Sequence, residues 1–167
     1  MSVASDSAVS LLIREVPADL WPARMAAWRW QVDEGVPVTD LTRKGGDDRN
    51  LAVYFVFLPQ KDALRLQGAG PRRVLGARTA RTLVYIWGGS GPRGQMLASP
   101  YSGDRGRNVI LRPADTGTHA EQVDLAADHR RAFGIEPQAL FGIGLSADSD
   151  DTSSRIRAQV SDLTLSL

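Results

Sequence analysis

The sequence predicts an all-β protein with minor helices, folded as a two-sheet antiparallel β-sandwich. Short apolar stretches with a two-residue repeat recur along the chain, and loops rich in Gly, Asp and Pro separate them. Only a few segments have a helical pattern. Because helices do not alternate regularly with the strands, a parallel α/β sheet is disfavoured. Closure of the strands into a barrel is the alternative.

Alternation of apolar and polar residues places the strands. We predict strands at residues 9–14, 26–33, 51–58, 82–87, 108–112, 139–147 and 155–167. Trp28 and Trp30 share one face with Val32, so both tryptophans are expected in the core. The stretch 51–58 is apolar on both faces, which is typical of a central strand covered on each side.

Other local patterns predict helices and one irregularity. Residues 61–67 favour a short helix, residues 68–81 a weakly helical basic connection, and residues 124–133 a helix that ends at Gly134. In the last strand, the apolar positions change parity, which predicts a β-bulge near Ser161 and Asp162.

Composition limits the function classes. The 167 residues fit a single domain, and the net charge of +1 gives no field that would attract nucleic acid. The chain has no cysteine, which excludes thiol catalysis, disulfides and Cys-zinc sites. The sequence predicts no signal peptide and no membrane-spanning segment. The oligomeric state is not predicted.

Polar residues concentrate in two segments. The Lys44–Arg49 loop combines two glycines with paired donors and acceptors, and residues 29–33 carry polar side chains opposite the tryptophan face. Aromatic side chains on residues 82–87 would add a platform for a sugar ring. The predicted ligand surface is Arg29, Asp33, Lys44, Asp47, Asp48, Arg49, Tyr85 and Trp87. The alternative is an ion-pair network that holds the long loop.

Metal and catalytic patterns are weak. The Asp148–Thr152 turn has oxygen ligands but fails the EF-hand pattern, since position six is Ser153 and position twelve is Gln159. The two histidines, His119 and His129, have no ligand spacing, and no nucleophile elbow occurs. We therefore predict no metal site and no cofactor. Carboxylates that could hydrolyse a glycoside are Asp33, Asp47, Asp48 and Asp148.

Six strings in fixed order carry a family resemblance. They are WRWQVD, DLTRKGGDDRNLAVYFVF, YIWGG, SPYS, AADHRRAFGIEP and GIGLSADSDDT. Over about Ala8 to Leu165 the chain resembles the bacterial family catalogued as domain of unknown function 3047. Members usually have an N-terminal signal and a further strand before the position of Ala8, and this chain is expected to lack both. Ser99 replaces a more usual Asn. The resemblance implies a jelly-roll sandwich like carbohydrate-binding modules and a periplasmic or secreted location, but no established activity.

These observations leave three functions open. The leading hypothesis is a non-catalytic binding module of the bacterial cell envelope, for a carbohydrate or polyol. The second is a carboxylate-based glycoside hydrolase or lyase on the same polar face. The third is a structural domain whose open sheet edge pairs with a partner chain. A facing pair of carboxylates would favour the second, and an unpaired hydrophobic edge the third.

Overall fold

Ten β-strands form two sheets that pack face to face, which confirms the predicted sandwich. The structure is a computed structural model that describes residues 1–167. The strands are β1 (Ser2–Asp6), β2 (Val9–Glu15), β3 (Met25–Glu34), β4 (Arg49–Leu58), β5 (Arg81–Trp87), β6 (Met96–Ser99), β7 (Gly103–Arg112), β8 (Gly117–Asp124), β9 (Ala139–Asp148) and β10 (Arg155–Ser166).

The helices are few and short, as expected. They are α1 (Gln60–Leu66), α2 (Pro71–Leu75) and α3 (Leu125–Phe133), with one 3-10 turn at Ala18–Leu20. The side chain of Asp124 caps α3 by accepting a hydrogen bond from the Ala127 N–H. Gly134 ends it at φ 70°, a left-handed conformation that favours glycine. None of these helices has the length and apolarity that crossing a membrane requires.

Strand order places β4 in the middle of the larger sheet. That sheet runs β2-β9-β4-β5-β7-β6, and the smaller sheet runs β1-β10-β3-β8. All neighbours are antiparallel except β5 and β7, which run parallel. The exception arises because the chain leaves β5, forms β6 beyond the position of β7, and then turns back between them. The prediction that residues 51–58 form a central strand is confirmed.

The core between the sheets is built on aromatic side chains. Trp28 and Trp30 are each 1% exposed, which confirms their predicted burial. Their rings lie 5.4 Å apart between centroids, and Trp30 lies equally close to Trp87. Tyr85 packs against Trp28 at 5.8 Å. Burial of several large rings in contact contributes much of the hydrophobic stabilisation.

A second, smaller apolar cluster lies on the outer face of the larger sheet. It comprises Leu41, Ala52, Val84, Ile86 and Ile110. Leu41 belongs to the loop between β3 and β4, which folds back over the sheet. This cover explains why β4 and β5 are apolar on both faces. The same loop carries the polar residues of the candidate site.

One strand contains an irregularity, and some strands were not predicted from the sequence. The pairing of β10 with β3 shifts register between Ser161 and Thr164, and Asp162 has φ 54°, which confirms the predicted bulge. Strands β1, β6 and β8 were not predicted. β1 precedes Ala8 and pairs with β10, where no strand was expected. β8 was missed because its inward positions include the polar residues His119 and Glu121. These face Trp30 and Trp28 across the strand pair.

Candidate functional site

A polar cavity opens on the outer face of the larger sheet, away from the aromatic core. Its volume is about 240 Å³, and we call it the Arg49 pocket. Its lining combines hydroxyl, amide, carboxylate and guanidinium groups on a partly apolar floor. The residues are Leu11, Asp47, Arg49, Tyr54, Leu75, Ala80, Thr82, Val84, Ser99, Tyr101, Ser102, Arg105 and Asn108.

One wall of the pocket is the Lys44–Arg49 loop braced by Tyr101. The Tyr101 hydroxyl donates to Oδ1 of Asp47 at 2.8 Å, and Lys44 Nζ lies 5.4 Å from the Tyr101 ring centroid. Burial of the hydroxyl and its bond to Asp47 raise the pKa of Tyr101. The ring itself is 57% exposed at the rim. The wall therefore presents an aromatic face to solvent.

The centre of the site is the buried guanidinium of Arg49. Strand register sets Arg49 opposite Asp148, and its Nη1 lies 3.0 Å from Oδ2 of both Asp47 and Asp148. Nη2 donates to the Tyr54 hydroxyl at 3.0 Å. Burial alone would lower the pKa of Arg49, but Tyr54 and the two carboxylates outweigh it and raise that pKa. The arginine is therefore a fixed, fully charged group.

A glycine makes room for this arginine. A Cβ at Gly88 would lie 2.8 Å from the Arg49 Cβ, closer than real side chains approach. The YIWGG string thus has a packing reason at its first glycine. Any larger residue there would push Arg49 away from its carboxylate partners.

Two polar side chains on the floor have no partner within the protein. Thr82 and Asn108 are 8% and 6% exposed, and neither makes a side-chain hydrogen bond. Their polar atoms are nevertheless not among the fully buried unpaired ones, so they keep a solvent-accessible side. Since both residues line the Arg49 pocket, that open side faces the cavity.

An acidic cluster borders the pocket. One carboxylate oxygen each of Asp48, Asp148 and Asp150 lies within 4.8 Å of the others. Asp48 is buried and accepts bonds from the Thr152 N–H at 2.8 Å and the Thr152 hydroxyl at 2.5 Å. Asp148 is paired with Arg49. Asp48 and Asp148 therefore have protein partners, and the expectation of no metal site stays a prediction.

Asp148 titrates abnormally. Burial raises its pKa to about 7, and Asp150 and Asp48 add to the effect, while Arg49 opposes it. In the unfolded chain the pKa returns to its ordinary value near 3.8. Between these values the folded state holds more protons than the unfolded state, so the stability that this group contributes is lost as pH rises toward 7.

We therefore expect Asp148→Asn to flatten the pH dependence of stability. From about pH 5 to about pH 8 the wild type should lose on the order of 1–2 kcal/mol more than the variant, a value discounted for solvent screening. Denaturant titrations at both pH values measure the difference. Asp19→Asn, at an exposed position outside the site, should keep the wild-type slope. Equal slopes for wild type and Asp148→Asn would contradict the raised pKa of Asp148.

Part of the predicted ligand surface is wrong. Tyr85 and Trp87 are 0% exposed within the core, so they form no aromatic platform. The Tyr85 hydroxyl donates to Asp128 and the Trp87 Nε1–H to Asp115, which satisfies their polar ends without a ligand. The outward faces of their strand carry Val84 and Ile86 instead.

The remaining predicted site residues fall into two groups on opposite sides of the sandwich. Arg29 and Asp33 are exposed on the outer face of the smaller sheet, opposite in parity to Trp30. The sandwich separates that face from the Arg49 pocket. Lys44, Asp47, Asp48 and Arg49 do come together, and Asp47 and Arg49 line the cavity. Asp48 holds the turn after β9 rather than the cavity wall.

Sequence reasoning missed several residues of the pocket. Tyr54 and Thr82 stand in largely apolar strands, and Asn108 adjoins the apolar half of β7, all at positions with outward parity. A polar residue in a strand that is apolar on both faces is the signal that could have found them. Tyr101 was quoted only within the SPYS string, and its contact with Asp47 spans 54 positions.

A larger cleft of about 610 Å³ lies elsewhere, between the two sheets where β2 and β10 face each other. Ten of its 16 lining residues are hydrophobic, among them Leu12, Ile143, Leu145 and Leu163. Its polar lining residues are Arg14, Glu15, Ser161 and Asp162, a smaller share of the lining than in the Arg49 pocket. We therefore place the candidate site in the smaller Arg49 pocket, where fixed polar groups can orient a ligand.

Comparisons with known proteins give one similar solved structure and one matching family. Among solved structures, the fold is similar to the crystal structure of a loop swap mutant of Necallimastix patriciarum Xyn11A, with 12% sequence identity and a TM-score of 0.43. That match covers 97% of this chain and 79% of the other. No curated protein matches the sequence. The model of the family described as "Protein of unknown function (DUF3047)" matches residues 1–164, so the chain belongs to that family, as its sequence strings indicate.

Proposed function

We propose that the protein is a non-catalytic binding module that takes a carbohydrate or polyol in the Arg49 pocket. The observation that carries the proposal is the pair Thr82 and Asn108. Both are almost buried, both lack a partner within the protein, and both have their open side in the cavity. Only a molecule in the cavity, solvent or ligand, can hydrogen-bond these groups, so a ligand that does so gains specific contacts there.

The chemistry around this pair suits a hydroxylated ligand. The pocket offers an amide and hydroxyls that both donate and accept, as each sugar hydroxyl does. Its volume of about 240 Å³ is below that of cavities for drug-sized ligands, about 300–1,000 Å³. One monosaccharide or short polyol is the size we infer. Tyr101 at the rim supplies an apolar face on which a ring can stack.

We expect Thr82→Val to weaken ligand binding by about 3- to 10-fold, because it removes one neutral hydrogen bond at nearly constant volume. Stability should stay unchanged, since the hydroxyl has no protein partner to lose. A glycan array identifies the ligand, and calorimetry then measures the affinity of the wild type and the variant.

The matched control is Thr118→Val, on β8 in the smaller sheet and outside the pocket. It should bind like the wild type. Tyr101→Ala at the rim should also weaken binding, whereas Leu12→Ala, exposed to nearly the same extent but outside the pocket, should not. An array without any sugar or polyol ligand would refute the proposal, as would equal losses from Thr82→Val and Thr118→Val.

A location in the periplasm or outside the cell is part of the proposal. Its support is the family resemblance in the sequence strings. Fractionation of a bacterium that carries the complete natural gene tests it. Recovery in the cytoplasm alone would overturn the location without affecting ligand binding.

A glycoside hydrolase is a second candidate, favoured by the titration of Asp148. A carboxyl group with a pKa of about 7 could act as a general acid at neutral pH. Arg49, however, lies between Asp148 and Asp47, where an attacking water or the scissile oxygen would have to sit. Turnover of chromogenic glycosides that Asp148→Asn abolishes would establish this function in place of simple binding.

Strand pairing with a partner is a third candidate, favoured by the open edge of β2. This strand ends the larger sheet, and it exposes Val9, Leu11 and Leu12 without a proline or lysine to block pairing. Light scattering on the purified protein tests it. A monomer mass at all concentrations would remove the version in which β2 pairs with a second copy.

A further inference from the structure

We propose that the ligand of the Arg49 pocket is an acidic sugar, whose carboxylate binds to Arg105. The inference rests on the proposed function and names the substrate class for that site. It starts from the charges around the cavity and from the way in which each is paired.

The only carboxylate in the lining is already engaged. Asp47 contacts Nη1 of Arg49 through Oδ2 and accepts a bond from Tyr101 through Oδ1. Both of its oxygens are therefore committed within the protein. Arg49 in turn shares its charge between Asp47 and Asp148. With one guanidinium shared between two carboxyl groups, this network offers no free positive charge to the pocket.

Arg105 is different, because it has no carboxylate within ion-pair distance. The half-buried side chain is held by its Nη1, which donates to the carbonyl oxygens of Leu75 at 3.0 Å and Ala77 at 3.1 Å. Two carbonyls at the end of α2 thus fix the position of the guanidinium. Its charge remains uncompensated beside the cavity that it lines.

The remaining donors of Arg105 form the edge that binds carboxylates. Nε and Nη2 have no protein partner, and neither is fully buried. The N–H bonds of these two nitrogens lie side by side on one edge of the planar guanidinium. This geometry matches the two oxygens of a carboxylate. Thr82 and Asn108 on the floor would then bind the hydroxyls of the same ligand. A uronic acid has both kinds of group.

The experiment compares sugars that differ only in the acidic group. Calorimetry measures the affinities of glucose and glucuronate, of galactose and galacturonate, and of glucose 6-phosphate. We expect the preferred uronate to bind about 10- to 100-fold more tightly than its neutral counterpart, the range for a hydrogen-bonded charge. Tighter binding of the phosphate than of either uronate would overturn the assignment to a carboxylate.

Substitutions then locate the preference. Arg105→Gln should abolish the difference between uronate and neutral sugar, and Arg105→Lys should restore part of it, since a lysine keeps the charge but loses the paired donors. The control is Arg107→Gln on the same strand. Arg107 is also half-buried and bonded to a backbone carbonyl, but it does not line the pocket. Arg107→Gln should leave the preference for the uronate over the neutral sugar intact.

Each outcome separates this inference from the proposed function. Equal affinity for uronate and neutral sugar would refute the role of Arg105 while the binding function stands. Equal losses for both sugars in Arg105→Gln would show that this arginine only supports the fold. Melting temperatures of the variants identify any that fail to fold. If Arg105→Gln is one of them, the preference of Arg105→Lys for the uronate tests the role of the arginine. Absence of binding to every sugar would instead refute the proposed function itself.

Discussion

Trp30→Ala is expected to lower the free energy of unfolding by about 3–5 kcal/mol. The ring is 1% exposed and packs against Trp28 and Trp87, each at 5.4 Å between centroids. Truncation leaves a cavity between the two sheets that the rigid β-strands cannot close. It also removes the Nε1–H that donates to Oε1 of Glu121 at 3.2 Å. Chemical denaturation followed by far-UV circular dichroism measures the loss.

Leu64→Ala is the control for this substitution. Leu64 is 59% exposed on α1, so its truncation should change the stability by less than about 0.5 kcal/mol. A loss below about 1 kcal/mol for Trp30→Ala would mean that the core tolerates the cavity or fills it by rearrangement. Either result would contradict a close-packed aromatic core.

Glu121→Ala is expected to cost about 3 kcal/mol, because it removes a buried carboxylate that accepts hydrogen bonds from Trp30 and Arg112 and forms an ion pair with Arg93. Arg112 Nε lies 2.8 Å from Oε1, and Arg93 Nη1 lies 2.7 Å from Oε2, although at an angle outside hydrogen-bond geometry. The Glu121 side chain has no exposed surface. Both arginines are partly exposed and can be rehydrated, so the cost falls at the lower end of the range for buried ion pairs.

The control is Glu136→Ala, which removes an exposed ion pair with Arg130. Surface pairs contribute less than about 1 kcal/mol, so the two glutamates should differ clearly. A double-mutant cycle with Arg112→Ala should give a coupling energy of about 0.5–3 kcal/mol. If Glu121→Ala is as mild as Glu136→Ala, the buried pair is not a structural element of this core.

The alternation of apolar and polar residues predicted which face of β3 is buried in the core, but not which face of β5. In β3 one face carries tryptophans and valine and the other carries Arg29 and Asp33, so the pattern assigns the faces without further information. In β5 both faces are apolar, and the choice depends on what covers each. The outer face lies under Leu41, whose loop position is set by long-range packing. Tyr85 and Trp87 therefore fall in the core, where the sequence alone could not place them.

The candidate site was predicted only where its residues are adjacent in the chain. The loop that carries Asp47 and Arg49 is one continuous polar segment, and composition alone identifies it. Thr82 and Asn108 are brought together by a parallel strand pair that local patterns do not reveal. Arg105 acquires its role from contacts with backbone carbonyls 28 and 30 positions away. Such residues are recognisable only once the topology is known.

The strand order also determines when the protein can fold during its synthesis. Strand β10 lies between β1 and β3, and β9 lies between β2 and β4, so the last strands made are the partners of the first ones. At 5–20 residues per second, β4 waits about 5–20 s for β9 and β10 to be translated. During that interval β4 can pair with β5 and β3 with β8, but the other edge of each strand has no partner. A nascent chain of this topology therefore exposes two unpaired strand edges, which are prone to wrong pairing, until its C-terminal strands leave the ribosome.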